Sequence, residues 1–199
     1  MEFLDLINEV KARGFDEVGD DRIKQWLNRA YARICDRQVW PFCVTSTSGT
    51  APLTISDLRS VYAVRDSGQE MNLEYADIRD IRVLDPGEDA TGGAVCWYQS
   101  GEAIAIYPAS GATISVDYVQ TPADLVADGD EPVLPARYHL LVVDAAVCEA
   151  YKDSDNLEAW QILRGDVEEQ IVEMEAAILI PNLDGAQVVS AGFNSSTDW

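Results

Sequence analysis

The chain has 199 residues, 47% of them hydrophobic, and 35 acidic side chains against 14 basic ones give it a formal charge of −21. That length carries one ample core or two modest ones. The charge excludes a tight grip on nucleic acid or on anionic lipid, both of which need clustered Lys and Arg. The excess is uneven: residues 1–37 are net −1, residues 38–133 net −11 and residues 134–199 net −9. An acidic wall repels DNA, which is also what a non-sticky conduit for DNA would present.

In chain order, the first predicted element is a helix in which Phe3, Leu4, Ile7 and Val10 recur at helical spacing, ended by Gly14 as a left-handed residue. A stronger helix follows. Asp20 or Asp21 is placed to cap it, and Ile23, Trp26, Leu27, Ala30, Tyr31 and Ile34 form one continuous apolar face. Arg22, Lys24, Arg29, Arg33 and Arg37 lie off that stripe, on an expected solvated face. Pro41 stops the helix, because the residue before a proline is pushed out of the α region.

From Cys43 to Thr121 short runs bounded by Gly, Ser, Pro and Asp read as strands: CVTSTSG, APLTIS, LRSVYAVRDSG, QEMNLEY, AVCWYQSG, EAIAIYP and ATISVDYVQT. Ile104, Ile106 and Pro108, then Ile114, Val116 and Tyr118, alternate onto one side. QSGE and ASGA read as hairpin turns, with Gly101 and Gly111 taking positive φ. YADIRDIRVLDP reads as a short helix. Strands at this spacing predict a small β-sandwich or barrel-like unit.

Helix then returns. After Pro135, the residues Tyr138, Leu141, Val142, Ala145, Cys148 and Tyr151 follow at helical spacing, and Ala145, Ala146 and Ala150 allow another helix to approach closely. Asp155 with Glu158 forms a capping-box-like pair for a longer helix. Its stripe is Leu157, Trp160, Val167, Ile171, Met174 and Ile178, interrupted by Arg164. Burying those side chains returns less than ordering the backbone costs, so this helix needs partners. The expected fold is therefore α+β: an antiparallel helical bundle from residues 1–41 and 134–180, a β domain inserted at 42–133, and a C-terminal extension at 181–199. That extension is short of core formers. Its few apolar anchors, Val188, Val189, Phe193 and Trp199, are of the kind that docks in a partner's groove.

Little in the chain volunteers for chemistry. The one histidine, His139, shares a helical side with Pro135, Ala136, Val142 and Val143, none acidic, and Asp144 sits roughly 140° around the axis. Catalysis by a lone histidine needs an orienting carboxylate and a substrate pocket, so a packed or surface histidine is expected. Cys35, Cys43, Cys96 and Cys148 form no CxxC and read as small buried hydrophobes. DGDE at Asp128–Glu131 lacks the spacing of a calcium loop. Glu169 and Glu173, one helical turn apart, mark an exposed face more readily than a metal site. TGG at Thr91–Gly93 is too short for a phosphate loop, and no Ser or Cys sits in a nucleophile setting. No catalytic residue, metal or cofactor is expected. No apolar run approaches the ~20 residues that span a bilayer, and MEFLDLINEVKARG has acids where a secretion signal needs bases. A product that stays in the cytosol where it is made, with no membrane partner, is expected.

The order of these signals is itself specific. A short helix, then IKQWLNRAYARICDRQVWPF, a β region closing on AIAIYPASGATISVDYVQTPADL, then EPVLPARYHLLVVDAAVCEAY and a long acidic helix resembles the head-to-tail adaptor (connector) proteins of tailed bacteriophages and related gene transfer particles. The resemblance runs over residues 1 to 178. It implies a virion structural protein made in the bacterial cytoplasm and placed at the neck. Copies would form a dodecameric ring under the portal, extending the DNA channel and meeting a tail, stopper or nozzle protein below. DNA would pass through the lumen without specific binding, and Val188, Val189, Phe193 and Trp199 would dock on the portal. The competing reading is a β-sandwich carbohydrate-binding or hydrolytic protein, which requires a cleft with two facing carboxylates and aromatic platforms.

Overall fold

The computed structural model describes residues 1–87, 89–108 and 111–179. Helices α1 (Phe3–Val10) and α2 (Asp20–Asp36) precede strands β1 (Val44–Thr50), β2 (Leu53–Thr54), β3 (Leu58–Asp66) and β4 (Met71–Tyr75). Helix α3 (Ile78–Leu84), strands β5 (Cys96–Ser100), β6 (Ala103–Tyr107) and β7 (Thr113–Gln120), and helices α4 (His139–Asp153) and α5 (Leu157–Leu179) complete the order. Each of the seven predicted strand segments holds a strand, so the α+β reading stands.

The helices bury their stripes against one another. On α2, all six predicted stripe residues are buried, with Cys35 beside them. Helix α1 buries Phe3, Leu6, Ile7 and Val10, so Leu6 takes the place expected of Leu4, which is 43% exposed. Gly14 does end this region, at φ 99°. Helix α4 is buried on several sides at once, through Leu141, Val142, Val143, Ala146, Val147 and Ala150, because α1, α2 and α5 all pack on it. A centrally placed helix needs no narrow stripe, which is why reading one face understated its burial. On α5, Val167, Ile171 and Met174 are buried whereas Leu157 is 56% exposed. The interruption at Arg164 has a cause: its guanidinium lies 5.2 Å from the Trp160 ring centroid.

Two expected caps are corrected. Helix α2 starts from Gly19 with no side-chain cap, and Asp20 instead pairs with Lys11 at 2.5 Å. Asp155 does not cap α5; it takes φ 55°, and Asn156 supplies the cap, its Oδ1 accepting from the Ala159 N–H at 3.3 Å. The chain enters α4 through a 3₁₀ turn at Ala136–Tyr138, with Pro135 just ahead of it. Helix α2 stops at Asp36, before the Pro41–Cys43 turn, and Trp40 is extended at ψ 138° as a residue before proline should be.

The strands form one seven-stranded sheet in the order β1-β7-β3-β4-β5-β6-β2. β1 and β2 come together at its two ends, so the sheet is nearly closed and barrel-like rather than a sandwich of two. Its neighbours are antiparallel except β4 with β5, which are parallel and joined by a crossover through α3. QSGE is a hairpin turn, Ser100 pairing with Ala103 around Gly101 at φ 63°. The first two residues of ASGA lie outside the described residues and Gly111 has φ 63°, but the strands it joins are not paired with each other: β6 pairs with β5 and β2 whereas β7 pairs with β1 and β3. A turn signal specifies the local reversal, not which strands then pair.

Two apolar clusters result. The sheet encloses Ile55, Val64, Leu73, Ile104, Ile106, Ile114, Val116 and Tyr118. The helices share a larger cluster that also takes Trp40, Cys43, Val119 and Leu125. β7 thus feeds both: Val116 and Tyr118 face the sheet interior, and Val119 reaches the helices. Arg59 at the start of β3 fastens the join, donating to the Cys35 and Asp36 carbonyls at 2.8 and 2.6 Å.

Candidate interaction surfaces

His139 is 2% exposed. Its Nε2–H donates to the Leu134 carbonyl at 2.9 Å, and its Nδ1 accepts from the Met1 ammonium at 2.8 Å. Both ring nitrogens are engaged and the ring is shielded from solvent, so the imidazole fastens the start of α4 to α1 and is not presented to a substrate. Cys35, Cys43 and Cys148 are buried as expected, and Cys96 is half-buried. The neighbouring Cys43 thiol and burial push the Cys35 thiol up, and burial raises those of Cys96 and Cys148. Thiols held protonated are poor nucleophiles and poor ligands.

DGDE is built around the backbone. The Asp130 carboxylate accepts from the Val126 and Ala127 N–H groups at 2.7 and 2.8 Å, which lower its pKa. The Asp130 and Asp128 carbonyls take the Phe3 and Leu4 N–H groups at 2.8 and 3.0 Å. The loop therefore satisfies donors that the start of α1 would leave orphaned. Glu169 and Glu173 are exposed. Among the described residues no group of three or more His, Cys, Asp or Glu is placed to hold a metal ion, and no helix is long and apolar enough to cross a membrane.

The basic side chains of α2 depart furthest from expectation. Arg22 pairs with Asp153, Arg33 with Glu149, and Arg37 with Glu168 and Glu175 at 2.6 and 2.8 Å. Lys24 lies 3.8 Å from Asp128. Off-stripe residues are thus not simply solvated, because α4 and α5 bring acids alongside them. Arg13 of the α1–α2 turn likewise pairs with Asp144, which also accepts from Gln170 at 3.2 Å.

The Trp26 indole N–H donates to Asp153 at 2.8 Å, and with Arg22 it holds that carboxyl below the usual range. A depressed folded-state pKa contributes stability that is complete above the ordinary Asp range and is lost as pH falls through the depressed value. Asp153→Asn is accordingly expected to lower the urea midpoint at pH 7, with the gap from the parent closing as pH is brought below the ordinary Asp range. An unchanged gap at low pH would remove Asp153 from the acid response.

Between α2, α4 and α5 lies a cleft of about 560 Å³ with Ala30, Ile34, Ala145, Val167 and Ile171 in its lining. Its carboxylates Asp36, Glu149 and Glu168 pair with Arg59, Arg33 and Arg37. That arrangement holds elements together and leaves none of the three acids free for proton transfer. In the sheet, Trp97 packs edge-on against Tyr75 at 4.9 Å and contributes to the interior cluster, so only part of CWYQ faces outward. Val188, Val189, Phe193 and Trp199 lie outside the described residues. Residue patterns do not flag Asn28, Arg59 or the cleft. The available signal is the one-turn spacing of Glu149 and Asp153 on α4, an acidic pair that meets Arg33 and Arg22 of α2.

The family model described as SU10 adaptor protein matches residues 1–178. No curated protein matches the chain.

Proposed function

Because the chain belongs to the SU10 adaptor protein family, whose members are structural proteins of bacteriophage, we propose that it forms a ring beneath the portal of a phage head. There it extends the DNA channel and joins the capsid vertex to a tail, stopper or nozzle protein. The observation that carries this reading is the match over residues 1–178, which spans every helix and strand described but for the last residue of α5. We read residues 1–41 and 134–180 as one helical bundle, into which 42–133 is inserted as a β domain; the shared apolar cluster of α1, α2, α4 and α5 supports that division. The formal charge of −21 suits a lumen through which DNA passes without sticking. A dodecamer is the order proposed.

The direct test is imaging of particles that carry this chain. A ring of it between portal and tail is the expected density, and its absence from the vertex would overturn the proposal. The C-terminal extension is proposed to hold the portal through Val188, Val189, Phe193 and Trp199. Deleting residues 181–199 is expected to abolish attachment to portal-containing heads, measured by co-sedimentation. Normal attachment of the truncated chain would place the portal contact elsewhere.

A further inference from the structure

Two surfaces are left over once the internal contacts are assigned. The first is the mouth of the α2–α4–α5 cleft. Eight of the basic side chains form ion pairs with carboxylates. Lys152 and Arg164 have no ion-pair partner among the described residues, and both line this cleft. Arg33 and Arg37 line it as well, so four cations share one opening. In so acidic a chain, a cleft that sets four cations against the three carboxylates Asp36, Glu149 and Glu168, with Ala30, Ile34, Ala145, Val167 and Ile171 between them, is net basic and suits an acidic, apolar guest.

The second surface is α3. Ile81 is buried and anchors this helix on the sheet, whereas Val83 and Leu84 are 79% and 83% exposed, the most exposed large apolar side chains described. The helix is held firmly. Asp77 caps it, accepting from the Arg79 N–H at 2.8 Å, and Asp85 behind it accepts from the Tyr107 hydroxyl at 2.8 Å and the Ala90 N–H at 2.9 Å. Asp80 and Asp89 flank the apolar pair and are exposed. A rigid apolar tip loses little freedom on docking.

We propose that α3 of one copy seats Val83 and Leu84 in the α2–α4–α5 cleft of a second copy, with Asp80 and Asp89 facing Lys152 and Arg164. The occupant is a second copy because the α3 tip, with Asp77, Asp80, Asp85 and Asp89 against Arg79 and Arg82, is net acidic where the cleft is net basic, and both surfaces belong to this chain. The two patches are different parts of the molecule, so the contact is head-to-tail and closes a ring if the rotation between copies allows. This rests on the adaptor reading and names the surfaces through which copies meet.

The test places a photo-crosslinking benzoylphenylalanine at Leu84 of the full chain, in assembled particles, and maps the crosslinked peptides by mass spectrometry. Crosslinks from position 84 into residues 145–171 of another copy are expected. Copies crosslinked only through other segments would overturn this contact and leave the adaptor reading standing, whereas a chain missing from the particles would overturn both. A charge exchange guards against a misfolded probe. Lys152→Glu with Arg164→Glu is expected to weaken association between copies at least tenfold, and adding Asp80→Lys with Asp89→Lys to restore it. Failure of restoration in a chain with the parent's circular dichroism would overturn the pairing.

Discussion

Replacing Trp40 with alanine is expected to lower the stability of the chain by about 3–5 kcal/mol, the range for deleting a large buried aromatic side chain. Trp40 is fully buried, its ring stacks on Phe42 at 5.4 Å between centroids, and its indole N–H donates to the Ile34 carbonyl at 2.8 Å. It stands where α2 gives way to β1, so the loss falls on the join between helices and sheet as well as on the helical core. At ~2–4 °C per kcal/mol for a chain of this size, the melting temperature should drop by roughly 10 °C. Trp40→Phe keeps an aromatic ring in place and loses the hydrogen bond, so a cost of about 1–2 kcal/mol is expected. Equal losses for the two variants, measured by urea denaturation, would show that the ring's volume is not what matters.

The second large effect is expected at Asn28, a polar residue on α2. Its side-chain amide meets the Leu125 peptide unit twice, Nδ2 donating to the carbonyl at 2.9 Å and Oδ1 accepting from the N–H at 2.8 Å. Leu125 is itself buried and Asn28 half-buried, so water is a poor substitute for these two bonds. Asn28→Ala leaves both backbone groups unsatisfied, each at ~1–3 kcal/mol, for a combined loss of roughly 2–6 kcal/mol. Asn28→Asp is the sharper variant: it keeps an acceptor for the N–H but sets a carboxylate against the carbonyl oxygen. It should therefore be at least as destabilising at neutral pH and should recover when the carboxyl is protonated. If Asn28→Asp is as stable as the parent at pH 7, the paired hydrogen bonds do not hold this segment.

The unflagged role of Asn28 has a physical origin. An asparagine off the apolar stripe satisfies every local rule for an exposed position; its partner is 97 residues away, and no local pattern encodes that distance. The same holds for Arg33 and Glu149, and for Arg59 with the carbonyls at the end of α2. His139 was legible in the other direction, because lacking an acidic neighbour on its own helix is a local fact. What local rules could not supply there was the pair of partners, the Leu134 carbonyl and the Met1 ammonium.

By itself the sequence determined what repeats at short range: the apolar face of α2, the seven strand segments, the alternation of Ile104 with Ile106 and of Ile114 with Val116, and the reversal at Gly101. These follow from helical and strand periods and from glycine's freedom at positive φ, properties of a few consecutive residues. Only the tertiary structure decided that β6 pairs with β2 rather than β7, that the sheet bends into one nearly closed barrel, that α4 is packed by three other helices, and that the bases of α2 find carboxylates. Each of those outcomes is a competition between distant partners, settled by which arrangement buries the most apolar surface while leaving the fewest polar groups unpaired.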